Sequence, residues 1–285
     1  MSAMAFVGVI GWPQETNVEL AAAWRDRGIP AQLVNPREAV QLLQQEDTAV
    51  GRLDVRRTLD GVEPGLYALS DLARRGTRIL NDAHALLRAH DKLLTAVCLE
   101  RARLRHPRTL LLDHTATRLP LAPPFVLKPR FGSWGADVYR CGAQWEVEAV
   151  LRRVQDRPWF RGQGAIVQEL LPVAGEDLRL IVAGGRIVGA VRRIAAPGEW
   201  RTNISLGGIR EPVDPPEEAR RLGLVAAAAI RADLVGVDLL RVDDGYVVLE
   251  LNGAVEFDEG YDLPGCDIYL DTAEALGLVP AEVAA

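Results

Sequence analysis

The chain is poor in the residues that build soft-metal and nucleophilic chemistry, with three cysteines and four histidines in 285 residues. Cys98, Cys141 and Cys266 are an odd set without C-x-x-C spacing, which counts against a disulfide framework and against a zinc site. Free thiols fit a reducing cytoplasm, the expected location. His84, His90, His106 and His114 lack metal-ligand spacing and read as surface or capping residues. Basic charge is not in excess: the formal net charge of −6 argues against a nucleic-acid surface. No long hydrophobic run occurs either. Residues 4–10 are too few to cross a bilayer and run into Gly11-Trp12-Pro13, so neither a membrane span nor a cleavable signal is expected. The P-loop pattern is missing, and Gly8 and Gly11 do not make G-x-G-x-x-G.

What is present is an ordinary globular composition, 48% hydrophobic and 25% charged. The length allows one large domain or two to three small ones. Residues 6–11 read as a strand, 18–27 as a helix stopped by Gly28-Ile29-Pro30, and 31–34 as a second strand. That order opens a parallel α/β layer. Residues 50–55 and 78–81 supply further strands around a helix at 67–75, and nothing in this first unit, to about Asp82, suggests chemistry. A helix is expected over 83–103 with Asp91-Lys92 inside it, then strands at 108–112, 125–129 and 138–141. A helix at 145–154 and a glycine-rich link at 161–164 lead to a strand at 165–171 and a loop at 172–176. A hairpin follows, 177–182 with 186–193, then a polar loop at 198–208 and a helix at 217–233.

The most informative stretch is 235–257, VGVDLLRVDDGYVVLELNGAVEF, two strands around Asp243-Asp244-Gly245. A two-residue turn would pair Asp238 with Leu251 and turn Asp238 away from Glu250 and Asn252, because a one-residue slip swaps faces. A three-residue loop with Gly245 at positive φ pairs Val242 with Tyr246 and Asp238 with Glu250. This second register is preferred. It gathers Val237, Leu239, Val247, Leu249 and Leu251 on an apolar face and Asp238, Glu250 and Asn252 on the other. Two carboxylates and an amide oxygen suit a hard cation such as Mg²⁺. Exposed strand faces carry acids too, so this cluster is not specific by itself.

Lys128 lies on a strand with apolar Phe125 and Leu127 and is followed at once by Arg130–Asp137, RFGSWGAD. Gly132 and Gly135 let backbone amides close around phosphate oxygens, and Ser133 adds a hydroxyl donor. A lysine beside such a loop neutralises phosphate as a compact cation. A plain hairpin turn uses the same residues, and Lys92 alone reads as one more charge on a helix face.

Taken in order, Asp91-Lys92, Lys128 with FGSWG, Gln168-Glu169, Asp177-Leu178-Arg179, residues 198–208 and Asp238…Glu250-Leu251-Asn252 resemble the ATP-grasp superfamily. The likeness is closest to RimK/LysX-like carboxylate–amine ligases. It covers about 81–267. The resemblance implies an α/β (α+β) fold of three subdomains: 1–82, an N-terminal α/β unit; 83–160, a central unit with the flap; and 161–285, a C-terminal unit with the metal hairpin. ATP would lie between the last two. Lys92 and Lys128 would contact phosphates, with Ser133, Trp134 and Gly135 folding over them. Gln168, Glu169, Leu170 and Leu171 would form the adenine hinge, and Asp177 would take the ribose hydroxyls. Asp238, Glu250 and Asn252 would bind Mg²⁺, with Mn²⁺ able to substitute. Arg179, Arg193, Arg201 and Asn203 would steady phosphate or acyl-phosphate. Strand alternation allows only one of Arg192 and Arg193 to reach the site.

The implied reaction is acyl-phosphate formation from a carboxylate and ATP, followed by attack of an amine. It needs no protein nucleophile, which agrees with the missing Ser/His/Asp and Cys/His sets. The run Gly253-Ala254-Val255-Glu256-Phe257 departs from the Ser-Pro-Gly that follows Glu-x-Asn in RimK proper and looks more like the LysX branch. Partners expected on that basis are an amino acid or peptide, free or on a small acidic carrier protein. An acidic carrier would need a local basic patch, such as Arg192, Arg193, Arg201 and Arg210. A homo-oligomer, dimer or tetramer, is compatible with the family. Two other readings compete: a kinase that stops at a phosphorylated product, and a nucleotide-binding module without activity. The intact Asp238/Glu250/Asn252 set argues against the last.

Overall fold

A computed structural model of the chain describes residues 5–172 and 175–279. The first unit is a four-stranded parallel sheet of β1 (Val7–Ile10), β2 (Ala31–Val34), β3 (Thr48–Gly51) and β4 (Arg78–Leu80), in the order β2-β1-β3-β4. Every residue of β1 is buried, as expected when helices cover both faces of a parallel sheet. The helices are α1 (Glu15–Asp26), α2 (Pro36–Leu42) and α3 (Leu66–Arg75). Helix α2 was not expected, although its start signal is plain: Asn35 accepts from the amides of Arg37 and Glu38, with Pro36 in the first turn. The third strand is shorter than 50–55 and ends at Gly51, where an added Cβ would run into the Asn81 carbonyl. The chain then turns inward through Arg52 and Asp54, which are 1% and 8% exposed.

The expected single helix over 83–103 is two helices, α4 (Ala83–His90) and α5 (Lys92–Arg101). Asp91 breaks it. Its carboxylate caps the amides of Leu93 and Leu94 and takes a forked pair from Arg130 at 2.8 and 2.6 Å. Lys92 thereby starts a helix, pinned by its amide to the Arg130 carbonyl, instead of riding on an exposed face. An antiparallel sheet follows, formed by β5 (Thr109–Leu112), β6 (Phe125–Pro129), β7 (Tyr139–Cys141) and β8 (Ala165–Glu169), in the order β5-β8-β6-β7. Helix α6 (Gln144–Val154) lies as expected. The glycine-rich link folds into α7 (Pro158–Gln163), closed by Gly164 at φ 70°. Strand β8 lies inside the central sheet, so the division at 160/161 cuts that sheet; the third sheet starts at Glu176.

The third sheet contains β9 (Glu176–Ala183), β10 (Arg186–Ile194), β11 (Ile209–Pro212), β12 (Leu234–Val242) and β13 (Gly245–Asn252), ordered β11-β10-β9-β12-β13 and antiparallel throughout. The loop expected at 172–176 includes Val173 and Ala174, which lie outside the described residues. Helix α8 (Glu217–Ile230) covers one face of this sheet through small residues, Ala219, Gly223, Ala226 and Ala227, against Leu180, Val237 and Leu239. Val225, on the opposite face of the helix, is 41% exposed. Helix α9 (Ile268–Ala275) returns to the first unit, where Trp24 donates to the Tyr269 carbonyl at 3.0 Å. Asn81, fully buried and at φ 53°, joins the sheets. Its side chain accepts from the amides of Asp233 and Leu234 and donates to the carbonyls of Leu234 and Gly253. That clamp fixes both ends of the β12–β13 hairpin against the first unit.

The hairpin reaches the expected pairing by an unexpected route. Asp238 is opposite Glu250 and Gly245 has φ 128°, as anticipated. The turn, however, has two residues, with Val242 opposite Gly245 and not Tyr246. A β-bulge between Asp238/Glu250 and Leu239/Val248 makes up the missing residue. In consequence Val248, not Leu249, joins Val237, Leu239 and Leu251 in the core. Leu249 and Glu250 both turn to the open face.

Candidate active site

A cleft of approximately 120 Å³ separates the central and third sheets. Its apolar walls are Val126 from β6, Leu240 from β12 and Leu249 from the bulge. Leu170 and Leu171 lie along the connection out of β8. Glu169 is exposed and tied back to Arg108 through both its amide and its carboxylate, while Gln168 is buried and donates to the Thr109 hydroxyl at 2.9 Å. Sequence reasoning missed the three apolar wall residues. Leu240 was legible, two positions from Asp238 on the same strand face. Leu249 was not, because a bulge breaks the alternation that would reveal it.

One end of the cleft is built around Glu250. Lys92 Nζ lies 3.1 Å and Lys128 Nζ 3.9 Å from Glu250 Oε2, with both lysines more than nine-tenths buried. Burial would raise the Glu250 carboxyl, but the two ammonium groups outweigh it and hold it below the usual range. Burial pushes Lys128 down to about 8, against the pull of Glu250. Lys92 also donates to the Gly132 carbonyl at 2.9 Å, so it ties the glycine-rich loop to the cleft. The loop is closed from the far side as well. Arg201 donates to the Gly135 carbonyl at 2.9 Å and Ser205 to that of Trp134 at 3.1 Å. Trp134 and Gly135 both have positive φ, and a Cβ on Gly135 would meet Asn203.

Behind Glu250 lies a network of guanidinium–carboxylate forks. Arg179 grips Asp238 with two bonds of 2.7 Å, and Arg193 grips Asp177 at 2.7 and 2.6 Å while reaching Asp238 at 2.9 Å. Burial alone would raise the Asp238 carboxyl; the two guanidiniums hold it well below the usual range. Asp177 also accepts from the Thr202 hydroxyl at 2.6 Å. It lines the cleft with three of roughly four acceptor positions taken. Arg193 is therefore the one of the pair that reaches the site; Arg192 points outward to Glu176 and Glu211. The basic patch does not form. Arg192 is paired as stated, Arg193 is buried, Arg201 is engaged by Glu199 and Arg210 by Asp258.

Whether a hard cation fits can be judged from the oxygens. Among the described residues Glu250 Oε1 and Asn252 Oδ1 have no hydrogen-bond partner, and Asn252 turns its amide nitrogen toward Asp238 Oδ2 at 3.4 Å. Two free oxygens beside an aspartate whose carboxyl is held well below the usual range are the donor chemistry of Mg²⁺. No cluster of three or more His, Cys, Asp or Glu suited to a metal occurs among the described residues, so such a site would share its coordination with phosphate oxygens.

A cleft between two antiparallel sheets, closed by a glycine-rich loop and carrying two buried lysines on a glutamate, defines an ATP-grasp enzyme. The family model for the RimK-like ATP-grasp domain matches residues 89–276, and the chain belongs to that family. A protein from Alkalilimnicola ehrlichii named probable alpha-L-glutamate ligase is 30% identical over 269 residues, covering 86% of this chain and 87% of that one. The ribosomal protein bS6–L-glutamate ligase of Escherichia fergusonii is 31% identical across 70% of this chain and 69% of its own. Among solved structures, the D-alanine–D-alanine ligase of Bacillus anthracis shares the fold with a TM-score of 0.68 at 17% identity, over 99% and 95% of the two chains. The protein is an ATP-dependent carboxylate–amine ligase.

Proposed function

We propose that the protein activates a carboxylate with ATP and joins it to the amino group of an amino acid, with glutamate the first amine to test because two relatives are named for it. The carboxylate belongs to a peptide, a protein end or a small acid. The observation that carries this reading is Glu250 set between Lys92 and Lys128, with Asp238 directly across the hairpin. Lys92 and Lys128 would bind the phosphates, and residues 133–135 would cover them. Residues 169–171 with Val126, Leu240 and Leu249 would hold adenine, and the remaining acceptor position of Asp177 would take ribose. Asp238, Glu250 and Asn252 would hold Mg²⁺, or Mn²⁺ in its place, which when bound neutralises charge between the β- and γ-phosphates. An oxygen of the substrate carboxylate attacks the γ-phosphorus and ADP leaves; the amine nitrogen then attacks the acyl carbon and phosphate leaves. Positioning and charge neutralisation by lysine and arginine are the protein's share.

The test is ADP release over a panel of amino acids and dipeptides, with hydroxylamine as a surrogate amine. A hydroxamate of one carboxylate is the expected product. Steady ADP production with a stable phosphate ester and no hydroxamate would decide for a kinase.

A further inference from the structure

A second cavity, of approximately 210 Å³, shares Glu250, Arg193 and Asn203 with the nucleotide cleft but extends to the first sheet, where Asp54 lines it. Asp54 follows the carboxyl end of β3, beside β1. Ligands of parallel α/β sheets collect outside the carboxyl ends of the strands, at the point where strand order reverses, which here lies between β1 and β3.

Asp54 is 8% exposed, and burial raises its carboxyl to about 6. Its Oδ1 accepts the Val55 amide at 2.6 Å, while Oδ2 receives no hydrogen bond among the described residues. His90 lies behind it, with Nδ1 3.9 Å from Oδ1. His90 Nε2 is 3.0 Å from the Leu53 carbonyl, which can only accept, so Nε2 carries the hydrogen and Nδ1 presents a lone pair. Burial and the Lys92 ammonium keep that imidazole neutral, with its pKa lowered to about 4. Glu256 adds a second carboxylate to the same cavity, with no cation in ion-pair range among the described residues. Arg52 is buried nearby, but it bonds Asn17 through Nε at 3.2 Å and makes no ion pair with Asp54. Asp54 Oδ2 and Glu256 thus present free acceptors at this end of the cavity, while Arg52, whose Nη1 has no partner, and Lys92 act on Asp54 only through space. At another part of the lining stands Arg210, whose Nη2 is taken by Asp258 and whose guanidinium lies over the Tyr261 ring, 5.3 Å from its centroid.

We propose that Asp54 receives the amino group of the amine substrate, which is a free amino acid whose carboxylate is met by Arg210. This rests on the ligase reading above. An ammonium brings three donors to a place with free acceptors, and a guanidinium suits a carboxylate. Asp54 and Glu250 line the same cavity, so an amine held at Asp54 and relieved of a proton can reach the acyl carbon that forms at the Glu250 end.

The experiment measures binding of the twenty free L-amino acids and their N-acetyl derivatives to the full chain loaded with Mg²⁺ and a non-hydrolysable ATP analogue. At least one amino acid should bind, and its N-acetyl form at least tenfold more weakly. Asp54→Asn keeps the acceptor for the Val55 amide and so preserves the turn. It should lose the preference for the free amine tenfold or more while holding the ATP analogue with wild-type affinity. Glu256→Gln should show a smaller loss. Equal binding of free and acetylated forms, no binding by any amino acid, or an unchanged Asp54→Asn would overturn the proposal. Hydroxylamine trapping separates it from the ligase reading, since hydroxylamine is too small to need Asp54. A hydroxamate formed by wild type and by Asp54→Asn alike keeps ligation whatever the binding result. A hydroxamate lost with Asp54→Asn would place Asp54 on the carboxylate substrate and overturn the proposal.

Discussion

The two acids paired across the hairpin are held in opposite ways. Asp238 is locked by the Arg179 fork at 2.7 Å and by a single Arg193 bond at 2.9 Å, which links its Oδ2 to Asp177. Glu250, its neighbour on β13, is held by two lysines at 3.1 and 3.9 Å and keeps one oxygen free. A guanidinium fixes direction as well as charge, whereas an ammonium is a point charge on a flexible stem. The first acid is therefore fixed in direction as well as charge, and the lysines on the second can shift without disturbing the sheet. The Arg179–Asp238 and Arg193–Asp177 pairs also bridge β9 to β12 and to β10, so the rigid half of the site is the sheet itself.

The sharpest way to break the rigid half is Arg193→Met. It leaves Asp177 buried without a cation and takes one of two cations from Asp238, and breaking a buried pair costs about 3–5 kcal/mol. Chemical denaturation should show that loss, with nucleotide binding lost as a consequence. Replacing Asp177 by Leu in the same chain removes the orphaned charge and should recover much of the stability. If Arg193→Met were as stable as wild type, the fork network would not be what holds the third sheet's face.

Glu250→Gln probes the movable half. The side chain keeps its shape and loses its charge, so the fold should survive while turnover falls. Interactions of this kind are worth about 10²–10³ in rate. Circular dichroism and melting should match wild type, and ATP should still bind. A Glu250→Gln enzyme that turns over at half the wild-type rate would remove Glu250 from the chemistry.

The contrast also explains what could be read from the chain alone. The order of motifs pointed to the fold because ATP-grasp chemistry spreads single residues over two sheets in fixed sequence, and that order survives local error. The Asp238–Glu250 pairing was legible since only one register puts acids on one face and a core on the other. The bulge that produces it was not, because Val248 and Leu249 are both apolar and either could fill the core. The break at Asp91 was hidden for a similar reason: its cap is completed by Arg130, thirty-nine residues away. Asp54 lay inside an expected strand, and nothing local announces that the strand ends three residues earlier against the Asn81 carbonyl. Side-chain pairing between distant segments decided each case, and periodicity carries no record of it.

Lys128→Ala sets the smallest expected effect and tests whether the lysines are held for the fold or for the ligand. Lys128 in the folded protein has its pKa lowered to about 8 from 10.5, with burial the main cause. A lysine in that position binds its proton less readily folded than unfolded. Below pH 8 the charged form is buried at a cost, and between pH 8 and 10.5 the folded protein sheds that cost by releasing the proton. Removing Lys128 should therefore leave stability at pH 7 unchanged or raised, all the more because Lys92 still serves Glu250 at 3.1 Å. What should be lost is one charge-assisted contact to phosphate, about 1.5–3 kcal/mol, or roughly ten- to a hundredfold in ATP affinity. Calorimetry with ATP and a melting curve at pH 7 measure the two quantities on one sample. A variant that melts well below wild type yet binds ATP equally would make Lys128 a brace like the arginines, and the contrast between the two halves of the site would fail.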